Sequence, residues 1–321
     1  MLTFLNKNGL QNDEIIDENP IKLADALWID LLNPSQREED DLANILGFKL
    51  PTRAEMVEIE LSSRLYSENG VHFMTAAIIV DSTSADPILD PITFILTEDK
   101  LITVRYVEPQ SFKLFTAKIS KSHSTYTTAT ALLVDLLETT IDRVADILEF
   151  IGQGIDRYSK KIFNPDERQN TKDYYKFLQK IASSCDLNTK TQESLVTFSR
   201  LVVYLSRHNE IILDKKSKVQ ISTIRKDIAS LNQHTNFLSS KVSFLLDATL
   251  GLVSIEQNNI IKIFSVAAVI FLPPTLIASV YGMNFKFIPE LSWQYGYEAA
   301  IGLIIFAAWA PYRFFKYKKW L

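Results

Sequence analysis

The first third of the chain alternates short apolar runs with polar segments, a pattern typical of a domain that mixes strands and helices. Four runs rich in branched and aromatic residues predict β-strands. They are Leu27–Leu31, Val71–Val80, Pro91–Leu96 and Leu101–Val107. Between the first two runs, Ser35 and Glu38 have the spacing of a capping box and predict that a helix begins just after Pro34. We therefore predict a small α+β domain over residues 1–110.

From about residue 109 the pattern becomes helical and stays so. Two long stretches, Tyr126–Phe163 and Tyr174–His208, have helical periodicity and are separated by a break at Pro165. They predict a helical hairpin over residues 111–216.

A third helix begins near Ser217 and carries a seam of mostly apolar residues in alternating steps of three and four. The seam comprises Ile221, Ile224, Ile228, Leu231, Thr235, Leu238, Val242 and Leu245. A heptad seam of this kind predicts a helix packed along a partner helix. No loop signal separates it from the apolar run that follows, and one helix from Ser217 to Tyr281 would be about 100 Å long. We expect self-association about an axis; packing of the seam on the chain's own domain is the alternative.

Two apolar runs near the C-terminal end predict membrane spans. Ile260–Val280 contains one charge, Lys262, and is long enough to cross the hydrocarbon core, about 30 Å. Tyr297–Tyr312 has its single charge, Glu298, at its outer end. A pair of buried core helices is the alternative. The predicted divisions are a stalk at 217–259, a first span at 260–281, an external loop at 282–296, a second span at 297–315 and a basic tail at 316–321.

Basic residues set the expected orientation. Arg313, Lys316, Lys318 and Lys319 follow the second span, whereas the loop between the spans carries Lys286 and Glu290. By the positive-inside rule the tail is cytoplasmic, and two spans return the chain to the side where it began. The N-terminus has no basic segment leading into an apolar one, so we expect no cleaved signal peptide and a cytoplasmic N-terminal region.

Composition excludes several kinds of chemistry. The net charge is −4 and 47% of the residues are hydrophobic, which gives no reason to expect a nucleic-acid partner. Cys185 is the single cysteine, so neither an intrachain disulfide nor a zinc cluster of thiolates is possible. No GxxxxGK[ST] phosphate loop and no nucleophile–base arrangement is present, and we expect neither an organic cofactor nor an enzyme.

Continuing the step of three and four into the first span selects a face that is polar or small at both ends. Its members are Asn258, Ile261, Ser265, Ala268, Leu272, Thr275, Ser279 and Gly282. The opposite face is uniformly apolar. Close helix packing would explain small residues, but Asn258 and Asn284 at the two ends favour a pore lined by identical helices. Pro273 and Pro274 also remove backbone donors at membrane depth, which is tolerated beside protein or water.

The end of the first span, Tyr281-Gly282-Met283-Asn284, resembles the signature of the CorA family of magnesium channels. The resemblance extends over the surrounding IEQNNIIKIFSVAAVIFLPPTLIASVYGMNF, the loop motifs IPEL and WQYGY and the closing KKWL. Nearer the N-terminus, LWIDLLNP and TRAEMVEIE are similar to the cytoplasmic domain of the bacterial branch.

The resemblance implies an architecture: a homopentameric funnel with an α+β cytoplasmic domain and an all-α membrane part. In it, a long stalk helix continues into a two-helix transmembrane hairpin whose first helix lines the pore.

The resemblance also implies roles for individual residues. The Gly282 carbonyl and the Asn284 side chain would form the outer selectivity ring, with Tyr281 and Met283 completing the signature. Ile261, Phe264 and Leu272 align with an apolar constriction, where the periodicity alone selects Ser265 instead of Phe264. Asn258 would form a second polar ring beneath it. A basic collar would be formed by Lys262, Lys316, Lys318 and Lys319.

The implied function is uptake of Mg²⁺, and also of Co²⁺ and Ni²⁺, through the inner membrane, with Mg²⁺ as both transported and regulatory ion. Asp247 matches a stalk carboxylate of the family's cytoplasmic Mg²⁺ sensor, but Thr223 or a neighbouring residue stands where other members carry a second one. Lys286 beside Glu290 departs from an acidic external loop and predicts a lower apparent affinity for cations. The alternatives are a zinc transporter of the same superfamily and a membrane-tethered coiled-coil scaffold that conducts nothing. The four scattered histidines disfavour the zinc transporter.

Overall fold

The computed structural model describes residues 2–6, 9–13, 25–58, 60–84, 86–122, 126–164, 171–208, 210–284, 289 and 293–318. The chain divides into two compact units, Met1–Leu246 and Asp247–Leu321. Within the described residues the first unit has seven strands. They are β1 (Leu2–Asn6), β2 (Gly9–Asp13), β3 (Trp28–Leu32), β4 (Leu65–Glu68), β5 (Val71–Val80), β6 (Ile88–Leu96) and β7 (Leu101–Arg105).

The strands form one mixed sheet in the order β2-β1-β3-β7-β6-β5-β4. Only β3 and β7 are parallel neighbours; the other pairs are antiparallel. The four strands predicted from the sequence are β3, β5, β6 and β7, and β5 and β7 are buried along their whole length. The α+β prediction for this part of the chain is confirmed.

Eight helices complete the described part of the chain. They are α1 (Gln36–Leu46), α2 (Arg53–Val57), α3 (Leu61–Arg64), α4 (Gln110–Ser122), α5 (Ala129–Phe163), α6 (Thr171–Arg207), α7 (Lys215–Tyr281) and α8 (Gly296–Tyr317). The predicted capping box at α1 is present: the Glu38 backbone N–H donates to Ser35 Oγ at 3.4 Å, and the Ser35 N–H donates to Glu38 Oε2 at 2.7 Å. Thr52 and Glu55 form a second box at α2, which the sequence reading missed.

A buried ion pair joins the two parallel strands. The Arg105 Nη2 atom of β7 donates to Asp30 Oδ2 of β3 at 2.7 Å, and Thr103 Oγ1 donates to Asp30 Oδ1 at 2.6 Å. Trp28 Nε1 donates to Thr103 Oγ1 at 3.0 Å, and the Arg105 guanidinium lies 4.8 Å from the centre of the Phe112 ring. Because these polar groups satisfy one another, they can remain inside the sheet.

The seam of α7 is buried within the first unit. Ile221, Ile228, Leu238 and the other seam residues, apart from half-buried Leu231, are buried. At the middle of the seam, Asn188 Nδ2 of α6 donates to the Thr235 carbonyl at 3.1 Å. The partner of the seam is therefore the chain's own helical layer. Our expectation that this seam serves self-association is wrong, because its residues are occupied within the chain.

The second unit contains the C-terminal part of α7 together with α8. Both α7 and α8 contain a stretch long and apolar enough to cross a membrane, and little of either stretch is buried. In a water-soluble domain, helices this apolar would be covered by the rest of the core. The two-span prediction is thus matched by two helices of suitable length and composition.

Candidate pore and signature region

The four-residue signature lies where α7 ends. Tyr281 is the last helical residue. The Gly282 N–H donates to the Ala278 carbonyl at 2.9 Å, and the Met283 N–H donates to the Val280 carbonyl at 3.3 Å, which tightens the final turn. Asn284 follows directly and is exposed. A backbone turn and an amide side chain thus lie at the C-terminal end of the helix.

The predicted pore face of α7 is open in the single chain. Asn258, Ile261, Phe264, Ser265, Ala268, Leu272, Thr275 and Ser279 are all exposed. A water-filled path between copies would need a face that the chain itself does not cover.

The opposite face of α7 is partly covered. Val266 is buried, and Lys262, Ile270, Ile277 and Tyr281 are half-buried. At about 100° per residue these positions lie on the side of the helix away from the predicted pore face. One span therefore presents two distinct faces.

The second span has a matching stripe. In α8 a set of covered positions lies three or four residues apart, with Ala308 and Ala310 covered beside it; the set is Gly296, Ala300, Ile304, Ala307, Pro311 and Phe315. Small residues at such positions permit close approach of two helices in a membrane. Partly buried stripes on α7 and α8 are the pattern expected of two spans that pack through those faces.

Two prolines interrupt the hydrogen bonding of the first span. Pro273 and Pro274 lie inside α7 and lack the N–H groups that would bond the Val269 and Ile270 carbonyls. Nearby, Thr275 Oγ1 donates to the Phe271 carbonyl at 2.7 Å, which leaves its oxygen available as an acceptor. Lipid cannot satisfy such carbonyls, whereas protein or water can.

Basic side chains follow the second span. Arg313 lies 5.9 Å from the centre of the Trp309 ring, and Lys316 and Lys318 are exposed. An aromatic side chain beside cations is common where a span meets the polar interface. Lys319, Lys286 and Glu290 lie outside the described residues, so the collar and the loop are described only in part.

Asp247 is exposed on α7, as an intersubunit ligand would have to be. Thr223 donates its hydroxyl to the Val219 carbonyl of its own helix at 3.2 Å. Among the described residues, no group of three or more His, Cys, Asp or Glu side chains is placed to hold a metal ion. A sensor built on Asp247 would therefore need ligands from another copy of the chain or from residues that the structure does not describe.

The sequence reading missed two candidate lining residues. Leu250 and Ser254 are exposed and continue the pore face from Asn258 back to Asp247 in steps of three and four. The spacing of three and four residues could have identified them, because the buried seam leaves the other side of the helix uncovered. Leu250 is 57% exposed and, with Ile261, Phe264 and Leu272 of the same face, adds to the apolar surface that the chain does not cover.

Comparison with known proteins gives a consistent result. A family model described as CorA-like Mg²⁺ transporter protein matches residues 24–318. The magnesium transport protein CorA of Yersinia pseudotuberculosis serotype I (strain IP32953) is 37% identical over 99% of this chain and 98% of its own. Its counterpart in Escherichia coli (strain K12) is 36% identical over the same shares. The solved CorA magnesium transporter of Methanocaldococcus jannaschii covers 100% of this chain and 98% of its own, with a TM-score of 0.77 at 18% identity, and shows a similar fold.

Proposed function

Since the chain belongs to the CorA-like Mg²⁺ transporter family, we propose that it is a membrane channel through which Mg²⁺ enters the cell down its electrochemical gradient. Family membership makes it an ion transporter and not an enzyme. The observation that carries the proposal is the face of α7 from Asn258 to Ser279, which is exposed in the chain and ends at the signature turn.

The proposed assembly is a homopentamer in the inner membrane. Residues 1–110 and 111–216 lie in the cytoplasm, 217–259 form the stalk, and 260–281 and 297–315 cross the bilayer. Residues 282–296 are external, and the tail at 316–321 returns to the cytoplasm. The basic residues in the last turns of α8 and directly after it support this orientation.

Selectivity is proposed to rest on neutral oxygens at the outer end. Mg²⁺ prefers octahedral oxygen ligands at about 2.0–2.1 Å and gives up its water reluctantly. Five Asn284 side-chain oxygens and five Gly282 carbonyls can accept hydrogen bonds from the ion's own water molecules. Because these acceptors are uncharged, they bind weakly enough to release the ion, as conduction requires. Co²⁺ and Ni²⁺ would pass by the same route as hydrated ions.

The closed state is proposed to depend on apolar rings. Ile261, Phe264 and Leu272 are exposed on the pore face of α7. Five copies of each would narrow the path and exclude water from it. Asn258 supplies a polar ring on the cytoplasmic side of this constriction.

The membrane potential can drive the transport. A divalent cation that enters across a potential of 100 mV, negative inside, gains about 4.6 kcal/mol. Accumulation can be limited by cytoplasmic Mg²⁺ bound between subunits at Asp247, which would favour the closed state. Lys286 would lower the affinity of the outer mouth for cations.

Zinc transport and a non-conducting scaffold are less favoured. The relatives at 36–37% identity are named for magnesium. A scaffold would not need a polar face that ends in Asn284.

The test is Mg²⁺ influx into liposomes that contain the purified protein and a fluorescent Mg²⁺ indicator. Asn284→Ala is expected to reduce influx on the order of tenfold, since it removes hydrogen bonds to a charged, hydrated ion. Asn259→Ala is the matched control: Asn259 lies next to Asn258 on α7, off the pore face, and should leave influx unchanged. Equal influx in wild type and Asn284→Ala would end the selectivity assignment. Native mass spectrometry should show five subunits, and any other number would contradict the assembly.

A further inference from the structure

A second candidate site lies in the first unit. A cavity of about 520 Å³ opens where α3 and the start of β4 meet the C-terminal part of α6. Its volume falls within the range usual for small-molecule sites. Leu65 and Val203 are half-buried in its wall, and Tyr204 is buried.

Two arginines lie at this cavity. Arg200 and Arg207 are seven residues apart on α6, so they lie on one face, about 10.5 Å apart along the helix axis. Both are exposed, and neither forms an ion pair with any other described residue. Two other arginines of the same unit are paired, Arg105 with Asp30 and Arg143 with Asp146. The cavity wall is largely apolar, and the two arginine side chains lie along it with guanidinium donors that no ion pair with a described residue uses.

The cavity also has an apolar wall next to the two arginines, and its aromatic rings are held in place by contacts within the chain. The rings of Tyr204 and His208 lie 3.8 Å apart between centroids. His208 Nδ1 is 3.0 Å from the Tyr204 carbonyl, and the Tyr204 hydroxyl is 3.2 Å from His72 Nδ1. These contacts hold the rings in place, so together with Leu65 and Val203 they form a preorganised surface for a flat, weakly polar body.

We propose that this cavity binds a nucleoside phosphate. Its phosphate groups would accept hydrogen bonds from Arg200 and Arg207, because a guanidinium matches the geometry of phosphate oxygens. The base would lie against Leu65, Val203 and Tyr204. The site is built from side chains of one helix and a facing strand, which is why the absence of a phosphate-loop motif from the sequence does not exclude it.

Two other occupants make different predictions. Inorganic phosphate would use the arginines and ignore the apolar wall. An acidic segment from a second copy of the chain would cover the cavity in the assembled protein and prevent any nucleotide from binding.

The experiment is equilibrium dialysis of the full-length, detergent-purified protein against radiolabelled ATP, in EDTA so that Mg²⁺ does not bind the nucleotide. Unlabelled ATP, inorganic phosphate and adenosine serve as competitors. We expect ATP to compete more strongly than phosphate or adenosine alone. The double variant Arg200→Ala/Arg207→Ala should weaken ATP binding about tenfold or more. Replacement of both by lysine should recover only part of it.

Arg225→Ala is the matched control, because Arg225 is an exposed arginine on α7 that lies outside the cavity lining. It should bind ATP as the wild type does, and unfolding temperatures should be the same for all variants. Failure of the wild type to bind ATP would overturn the proposal, as would unchanged binding in the double alanine variant. Phosphate competing as well as ATP would identify an adventitious ion only. None of these readouts depends on Mg²⁺ transport.

Discussion

Gly282 occupies a crowded position in the signature turn. A Cβ atom there would lie 3.2 Å from the Ala278 carbonyl oxygen and 3.6 Å from that of Ser279. The first distance is shorter than nearly all real contacts of a Cβ atom, and the neighbour is backbone, which cannot rotate away. A side chain here would therefore require the backbone to shift by a few tenths of an ångström, and this crowding is the constraint because the φ of Gly282 is not in the left-handed region.

We expect Gly282→Ala to shift this turn by a few tenths of an ångström and to reduce Mg²⁺ influx into liposomes. Overpacking of this kind typically lowers the free energy of unfolding by about 1–3 kcal/mol. Gly302→Ala is the control, because a Cβ at Gly302 of α8 meets nothing within 4 Å in the chain. Influx through Gly282→Ala equal to that of both wild type and Gly302→Ala would show that the turn geometry is not needed.

The surroundings of His72 lower its pKa and make the stability of the protein depend on pH. Burial lowers its pKa, nearby His208 lowers it further, and Glu210, 3.9 Å from Nε2, opposes the shift. Tyr204 of α6 and the paired Ser67 of β4 also face it. The lowered pKa means that the unfolded chain binds a proton at His72 more readily than the folded chain does. His72 therefore contributes to the free energy of unfolding above about pH 6.5, and this contribution is lost as the pH falls towards the lowered pKa.

We expect the unfolding temperature to fall as the pH drops below about 6.5, and to fall less steeply in His72→Asn. Asparagine keeps an acceptor near the Tyr204 hydroxyl but does not titrate. His234→Asn, at an exposed position of α7, should retain the wild-type slope. Identical slopes in wild type and His72→Asn would assign the acid sensitivity to other groups.

At the scale of elements, helix α6 completes the edge of strand β5. Strand β4 pairs with β5 only as far as Met74. Beyond that point Ser194 Oγ donates to the Ala77 carbonyl at 2.7 Å, and the Ala77 N–H donates to Thr197 Oγ1 at 3.0 Å. Two hydroxyl groups thus take the place of a neighbouring strand at Ala77 and satisfy its backbone N–H and C=O.

The double variant Ser194→Ala/Thr197→Val should show how far the stability of β5 depends on these two hydroxyl groups. It leaves the Ala77 N–H and C=O without partners, at a cost of about 1–3 kcal/mol for each group. Hydrogen exchange of the β5 amides should accelerate accordingly. Ser183→Ala, at an exposed position of the same helix, is the control and should change stability by less than about 0.5 kcal/mol. Unchanged exchange in the double variant would mean that water replaces the hydroxyls.

The elements that the sequence predicted well carry a strong local pattern. Strands β3, β5, β6 and β7 are rich in branched and aromatic residues. The start of helix α1 is marked by a capping box that spans only four residues, Ser35 to Glu38. Strand β2 (Gly9–Asp13, GLQND) has almost no apolar pattern and is a strand because it pairs with β1. Strand β4 is similarly defined by its pairing with β5. Pairing of this kind depends on residues distant in sequence, which a local pattern does not contain.

Helix α7, which carries the candidate site, also has contacts that could not be predicted from a local pattern. Its seam and its pore face were both visible as periodicity. Periodicity gives the faces of a helix but not the partner that covers each one, so the seam was assigned to other copies although α6 covers it. The signature motif is local, and its place at the helix end followed directly from the sequence.

At the scale of the whole molecule, the account requires several copies to share one surface. In the second unit, the exposed face from Asp247 to Ser279 includes Leu250 and Leu272, which a monomer would leave uncovered. The opposite face of the first span is partly buried within the chain. A central path lined by this face explains why its ends are polar, and why one side of the helix is covered while the other is open.

The most direct test asks which face of α7 meets water in the membrane. Cys185 can be replaced by serine, since it is the single cysteine, and new cysteines placed one at a time at Ser265, Ala268, Thr275 and Ser279. Val266, Ile270 and Ile277, on the covered face, are the matched positions. In Mg²⁺-free liposomes, a membrane-impermeant charged thiol reagent should modify the first set and block Mg²⁺ influx, while the second set stays unmodified. Equal modification of the two sets, or modification of the covered set alone, would contradict a pore along this face.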